Sequence, residues 1–556
     1  MSYVRDAMRI GIKNTGLKEV RGMKRSFRSK KINRFSAGML AFCMALSLAA
    51  CGNGSGSEAD ASKNAEDKAA AGTETDGPVT FTYARADSTT SFDLHVEITS
   101  NNAFAIDKVF EPLVMFDEEG NIYDYLAESH EISDDGLTYT FKLRDGLKFS
   151  DSTPVTSGDV KFSLERHMEV GGSLPIQADI TSIETPDDST VVIKLGAAYT
   201  PFISELANFS NGIIPEDFGG RTEEEFFEAP VGTGPFVVSE WDPTGDLTFV
   251  KNENYWQEGQ PSIDKLVYKV VEDDNQAINQ LKTGEVDAVE GLSFTAAEEI
   301  AGGADTTVIT QDGWNVEELF FNTLDEHFAD VHVRRALAMA IDREAITASQ
   351  TYGYGVTANT ILPKAIRYCT TDSVEALSYD VEAAKAELAL SAYPDGFDTT
   401  LSIASGNNIT LQEAQIIQAA GQAIGINIEI NQQEIAAFRE DFKSLNFDMM
   451  LNSATADYPD ADSIFAFQVD PEGFSQCYWT SYVNDRAIEL LHEGQTAPDG
   501  DERADIYSEL QQLLADEVPY IPLYYPEIVT GVRSNVSGLQ VLPNGSAIFN
   551  NVVIEN

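Results

Sequence analysis

The stretch SATADYPDADSIFAF gathers Asp457, Asp460 and Asp462 around Pro459, directly after the apolar run in FDMMLNS. Strand ends are where α/β folds build ligand sites. A carboxylate that loses part of its hydration there attracts a cation such as an ammonium group through charge-assisted hydrogen bonds. The same aspartates could instead satisfy local amides in an Asx-turn, and the residues alone leave the two readings level. A calcium loop fits less well, because the spacing lacks the glycine and distal glutamate of an EF-hand.

Catalytic patterns do not accompany this cluster. The chain has no G-x-S-x-G elbow, no H-E-x-x-H, no G-x-x-x-x-G-K-[ST] and no C-x-x-C. In VGTGPF, Pro235 follows where a dinucleotide-binding helix should begin, so Gly232 and Gly234 read as a turn. His327 and His332 stand five apart, off any shared helical face, and six scattered histidines define no metal site. The residues therefore favour binding over catalysis, with no cofactor and no metal.

The N-terminal region carries an address. Met23 opens a segment with Lys24, Arg25, Arg28, Lys30, Lys31 and Arg34, followed by an apolar stretch from Phe35 to Ala50. A basic region, a short apolar run and small residues form a secretory signal, with Met23 as the expected initiator. Leu48-Ala49-Ala50-Cys51 resembles the bacterial lipobox, which implies that Cys51 is acylated and becomes the mature N-terminus. Without residues 1–50 the chain keeps 26 basic and 88 acidic residues, a formal charge of −62. Such a surface repels nucleic acid and anionic lipid, which leaves the acyl group as the membrane attachment. Residues 51–77 read as a lipidated cysteine and polar tether, a flexible coil reaching roughly 28 Å. Of the remaining cysteines, Cys369 and Cys477 could form a disulfide or stay as two thiols.

About 480 residues follow, enough for two or three cored domains. Leu137, Tyr139, Phe141 and Leu143 alternate with polar residues between Asp-Gly pairs, which predicts a strand in a hairpin. Thr156 and Asp159 have capping-box spacing ahead of a helix carrying Val160 and Leu164. LTFVKNENYW and IDKLVYKVV read as strands, and DDNQAINQLKTGEVDAV as a helix that stops at Gly284. In DVHVRRALAMAIDREAI, Val333, Ala336, Leu337, Ala340 and Ile341 form one apolar stripe behind an Asp330 cap. DVEAAKAELAL, QEAQIIQAAGQAIG and RADIYSELQQLLADE are further helices, with INIEINQ and FDMMLNS as strands between them. The order is that of mixed α/β sheets.

These segments, in this order, resemble the peptide/nickel-binding family (family 5) of extracellular solute-binding proteins of ABC importers. The matching stretches are FEPLVMFDEEGNIYDYLAESHEISDDGLTYTFKLRDGLKFSDSTPVTSGDVKFSLER, PVGTGPFVVSEWDPTGDLTFVKNENYWQEGQPSIDKLVYKVVEDDNQAINQLKTGEVDAV and LFFNTLDEHFADVHVRRALAMAIDREAI, with ADYPDAD and the terminal RADIYSELQQLLADEVPYIPLYY. The resemblance implies an α/β, two-lobed periplasmic-binding-protein-like fold (type II, class C). Lobe I would comprise 78–118, 231–313 and 526–556, with an inserted α+β subdomain at 119–230, and lobe II would be 314–525.

It also implies a function: a lipid-anchored, monomeric receptor at the outer face of the cytoplasmic membrane that passes oligopeptides to ABC permease subunits. Family peptide binders fix the ligand's α-ammonium with an aspartate at the position of Asp457. Trp314 is the expected cleft wall, with a core or hinge-packing indole as the alternative. Tyr83, Asp87 and Tyr458 are expected nearby, and Arg85 and Arg367 are the cations that could meet a ligand carboxylate. The same fold could carry a nickel chelate or an oligosaccharide. A surface hydrolase is the more distant alternative, disfavoured by the missing nucleophile.

Overall fold

The 14-residue strand Tyr520–Arg533 serves two sheets. Its first half pairs antiparallel with Asn315–Phe321, and its second half with Thr306–Asp312 and, at Gly531 and Val532, with Ala288–Val289. Pro522 and Pro526 interrupt it, and a proline cannot donate to a ladder. The register against Asn315–Phe321 shifts beside Pro522. In this computed structural model the described residues are 77–96, 99–471 and 480–555. The signal region, Cys51, the tether up to residue 76 and Cys477 lie outside them.

On one side of the shared strand, Ala288–Val289 leads through Thr80–Arg85 and Lys265–Val270 to Leu247–Lys251 and Phe236–Trp241. On the other, Asn315–Phe321 leads through Met449–Thr455 and Asp398–Ala404 to Asn427–Gln433. Each half has its own core. Phe81, Tyr83, Phe249, Leu266, Tyr268 and Phe549 fill the first. Leu319, Phe321, Leu337, Leu401, Ile417 and Met449 fill the second. The chain passes between the halves twice, at residues 312–315 and within Tyr520–Arg533. The architecture is a two-lobed mixed α/β fold.

A separate four-stranded antiparallel sheet runs in the order Ala127–Ile132, Thr138–Leu143, Thr190–Leu195, Ile180–Asp187. Tyr139, Phe141 and Leu143 are buried and their neighbours are not, as the two-residue period predicts. The helix Ser157–Val170 packs on this sheet, started by Asp159, whose Oδ2 accepts from the Thr156 backbone N at 2.7 Å.

Elsewhere the predicted elements stand with two differences. The strand read from LTFVKNENYW ends at Lys251, because Asn252 turns the chain: its Oδ1 accepts from Asn254 N at 3.0 Å and its Nδ2 donates to Gly234 O at 2.7 Å. The helix read from DVHVRRALAMAIDREAI is two, Val331–Ala340 and Arg343–Thr351, because Asp342 caps a second start by accepting from Ala345 N. Gly284 ends its helix in the left-handed region at φ 75°. Gly232 and Gly234 have another reason to be glycine. A Cβ on Gly232 would sit 1.9 Å from Val109 O and one on Gly234 2.5 Å from Lys108 O, so two backbones touch there.

Candidate functional site

The strand Met449–Thr455 ends at the acidic turn, and the helix Asp462–Gln468 begins immediately after it. Ser463 Oγ ties the turn by accepting from Asp457 N at 2.6 Å and Tyr458 N at 3.4 Å. The three aspartates then part company. Asp460 is 1% exposed and bidentate with Arg503, both N–O distances being 2.7 Å; its Oδ1 also accepts from Asp462 N. Asp462 is fully buried and accepts from Tyr199 Oη at 2.5 Å, Tyr458 Oη at 3.1 Å and Gln495 Nε2 at 2.8 Å. Both are held by structural bonds, and of the two only Asp460 satisfies a local amide, as the Asx-turn reading has it.

Asp457 is different. Among the described residues its carboxylate has no hydrogen-bond or ion-pair partner, and loss of solvent alone pushes its pKa up to about 7. It lines two cavities. One, of about 210 Å³, is walled by Tyr199, Glu205, Asn208, Ser210, Tyr458 and Gln495 among others. The second, of about 250 Å³, is walled by Phe104, Phe116, Phe209, Ala456 and Asn544 among others. Asp457, Asn208, Ser173 and Leu174 belong to both. The walls come from the small subdomain sheet's connections, from both large sheets' loops and from the acidic turn. Asn208 joins two of these parts, donating from Nδ2 to Asp457 O at 2.8 Å.

A part-buried carboxylate without a partner is unfavourable in isolation, because its lost hydration is uncompensated. A ligand cation would supply what is missing. Asp457 can accept a primary ammonium, with Tyr458 beside it in the same wall.

The other predicted site residues fall elsewhere. Tyr83 is 1% exposed within a lobe core, its ring edge-on to Phe549 at 5.2 Å, so it is no cleft residue. Trp314 is fully buried one layer behind the wall: its ring packs on Phe116 at 4.7 Å and its carbonyl accepts from Ala456 N at 3.0 Å. It supports two lining residues from behind and is the packing indole of the alternative reading. Asp87 is exposed in a bend, away from both cavities. Arg85 is consumed inside its lobe by Glu290 at 2.7 Å and Asn101 O at 3.1 Å. Arg367 pairs with Asp499 at 3.0 Å on the outside. Neither arginine reaches the cavities.

The sequence reading missed Tyr199, Glu205, Asn208 and Ser210, all within YTPFISELANFSNGII. Their signal is a run of polar residues interrupting an apolar segment, too long and mixed to be a strand. Cys369, a free thiol, donates to Leu362 O at 3.2 Å and plays no part here.

A two-lobed α/β chain with an enclosed, partly acidic cavity between its parts is the architecture of a solute-binding protein. This chain belongs to the bacterial extracellular solute-binding proteins, family 5, whose middle region matches residues 121–476. Over 453 residues, 79% of this chain and 88% of the relative, it is 27% identical to the glutathione-binding protein GsiB of Escherichia coli K12. The periplasmic binding protein DppA of Helicobacter pylori, solved with the peptide STSA, superposes with a TM-score of 0.74 at 26% identity, covering 86% of this chain and 99% of that one. HbpA2 of Haemophilus parasuis superposes with a TM-score of 0.78 at 24% identity, covering 86% and 100%. The protein is thus the solute-binding component of an ABC importer. Among the described residues no helix is long and apolar enough to cross a membrane.

Proposed function

We propose that this chain captures oligopeptides and hands them, unaltered, to the permease subunits of its importer. The observation that carries the reading is the unpartnered Asp457 carboxylate at the junction of two cavities, placed to accept a free α-ammonium. The remainder of the peptide then lies against tolerant, hydrated walls, its main chain hydrogen-bonded as an added strand would be. Residues 78–118, 231–313 and 526–556 act as one lobe carrying the subdomain 119–230, and 314–525 as the other. They close on the ligand about the two crossings, contacts to both lobes supplying the difference in free energy. Acylation at Cys51 holds the monomer at the outer face of the cytoplasmic membrane.

Calorimetry with mixed di- to hexapeptides tests the reading, together with native mass spectrometry of the protein as purified. Saturable peptide binding without product formation supports it. Binding of another solute class and of no peptide overturns it.

A further inference from the structure

The 210 Å³ cavity contains more acidic groups than one ammonium group needs. Besides Asp457 its wall includes Glu205, only 4% exposed, at the end of the short helix Phe202–Glu205. Glu205 is held in place: its Oε1 accepts from Gln177 N at 2.5 Å and its Oε2 from Ala178 N at 3.4 Å. Two amides stabilise a carboxylate but do not neutralise it. Desolvation, aided by the nearby Asp462 charge, outweighs those amides and pushes its pKa up to about 8.

No side chain supplies the countercharge. Neither cavity is lined by any lysine or arginine among the described residues. The one imidazole in the wall, His167, is buried against His95 at 4.7 Å, and burial lowers its pKa. Asp470, also in the wall, lies 3.6 Å from His492, whose side chain is half exposed. The remaining titratable groups that line the cavity, Tyr199 and Tyr458, both donate to Asp462. Two anchored acids in one enclosed space, Asp457 without a partner and Glu205 with only amides, leave a place for two cations.

Resting on the peptide reading above, we infer that the cargo carries a second positive group beside its α-ammonium, a lysine or arginine side chain that enters the cavity and pairs with Glu205. The chain is then a receptor for basic peptides, and a ligand carboxylate meets no lysine or arginine among the described residues that line the two cavities.

The test is calorimetry on the intact lipid-free protein with tetra-alanine peptides in which one lysine is scanned through each position, each matched by norleucine, which keeps the length and removes the charge. The expected result is one position at which lysine binds at least about tenfold more tightly than norleucine, a difference of about 1.4 kcal/mol. Glu205→Gln keeps the shape and is expected to bring that ratio to within about threefold, whereas a merely structural role for Glu205 would weaken both peptides alike. If tetra-alanine binds and no position prefers lysine, or if the preference survives in Glu205→Gln, the inference is overturned while the peptide reading stands. If no peptide of the set binds, both fall. Should the variant not fold, the wild-type comparison of lysine with norleucine decides alone.

Discussion

Asp460 and Arg503 face each other through two 2.7 Å hydrogen bonds in a fully buried setting, while Asp457, three residues earlier, meets no donor with its carboxylate among the described residues. One aspartate of the turn is spent on architecture so that another can stay open. Arg503 also reaches Asp499 at 2.8 Å and Gly494 O at 2.7 Å, tying the acidic turn to the helix Asp501–Glu517. Asp460→Ala leaves the guanidinium buried with Asp499 as its remaining acid, and is expected to cost roughly 3–5 kcal/mol of unfolding free energy. Denaturant titration checks this; a loss under about 1 kcal/mol would show that Asp499 compensates.

Asp457→Asn separates binding from stability. Its loss of one charge partner is expected to weaken free-amine peptides by at least about thirtyfold, the low end of the 2–5 kcal/mol typical of a broken buried pair. Peptides with an acetylated amine should not distinguish the two proteins. Stability should move the other way. The folded-state pKa of Asp457, about 7, lies above its ordinary value of 3.8, so this group's contribution to stability declines as pH rises from about 4 to about 7 and is level above. The advantage of the asparagine variant over the wild type, measured without ligand by urea unfolding, should grow across that window and then stop growing.

The same carboxyl sets the pH profile of binding. A peptide ammonium requires the ionised form, so affinity is expected to fall by about tenfold per unit below about pH 7. Above about pH 8 the peptide's own amine loses its proton, which turns affinity down again. Calorimetry across pH 5 to 9 should trace a maximum between these limits. A profile flat from pH 5 to 7 would remove Asp457 as the amine site.

Cys51 makes a prediction that does not depend on the cleft. If its sulfur carries the acyl group, Cys51→Ser is expected to move the protein from the membrane fraction to the soluble fraction and to abolish incorporation of radiolabelled palmitate. One acyl chain binds a bilayer only marginally, so multiple acylation is needed for stable retention. Fractionation unchanged by the substitution would remove lipidation as the anchor.

Local periodicity made the elements legible and long-range pairing hid part of the site. Tyr139, Phe141 and Leu143 declared their strand because a half-buried ladder repeats every two residues, and Asp330 declared its helix start because a cap is a neighbour effect. The acidic turn was visible as a cluster after an apolar strand. Which of its aspartates stays free was not, since that depends on Arg503, 43 residues away from Asp460, and on Tyr199, 263 residues away from Asp462. Tyr83 and Trp314 show the same limit. An aromatic residue in or beside a strand faces either the cleft or the layer behind it, and Phe549 and Phe116, which decide the matter, are far off in sequence. Arg85 could not be excluded until Glu290 was seen to hold it.

Thr200 tests whether residues 119–230 move against 314–525 when the cleft opens. Its backbone N donates to Gln495 O at 2.8 Å and its hydroxyl to Ala497 O at 2.9 Å, bridging the two parts without lining either cavity. Thr200→Val keeps the shape and removes the hydroxyl bond. If that bond forms only on closure, its loss lowers peptide affinity by about 0.5–1.5 kcal/mol, roughly twofold to tenfold. The change should lie in the dissociation rate, since closure follows capture. Unfolding of the ligand-free protein should then shift little, because the open form lacks the contact. If instead the two parts are permanently docked, the same substitution lowers ligand-free stability and leaves affinity alone. Stopped-flow dissociation and urea unfolding of this one variant therefore distinguish a jaw that moves from a wall that does not.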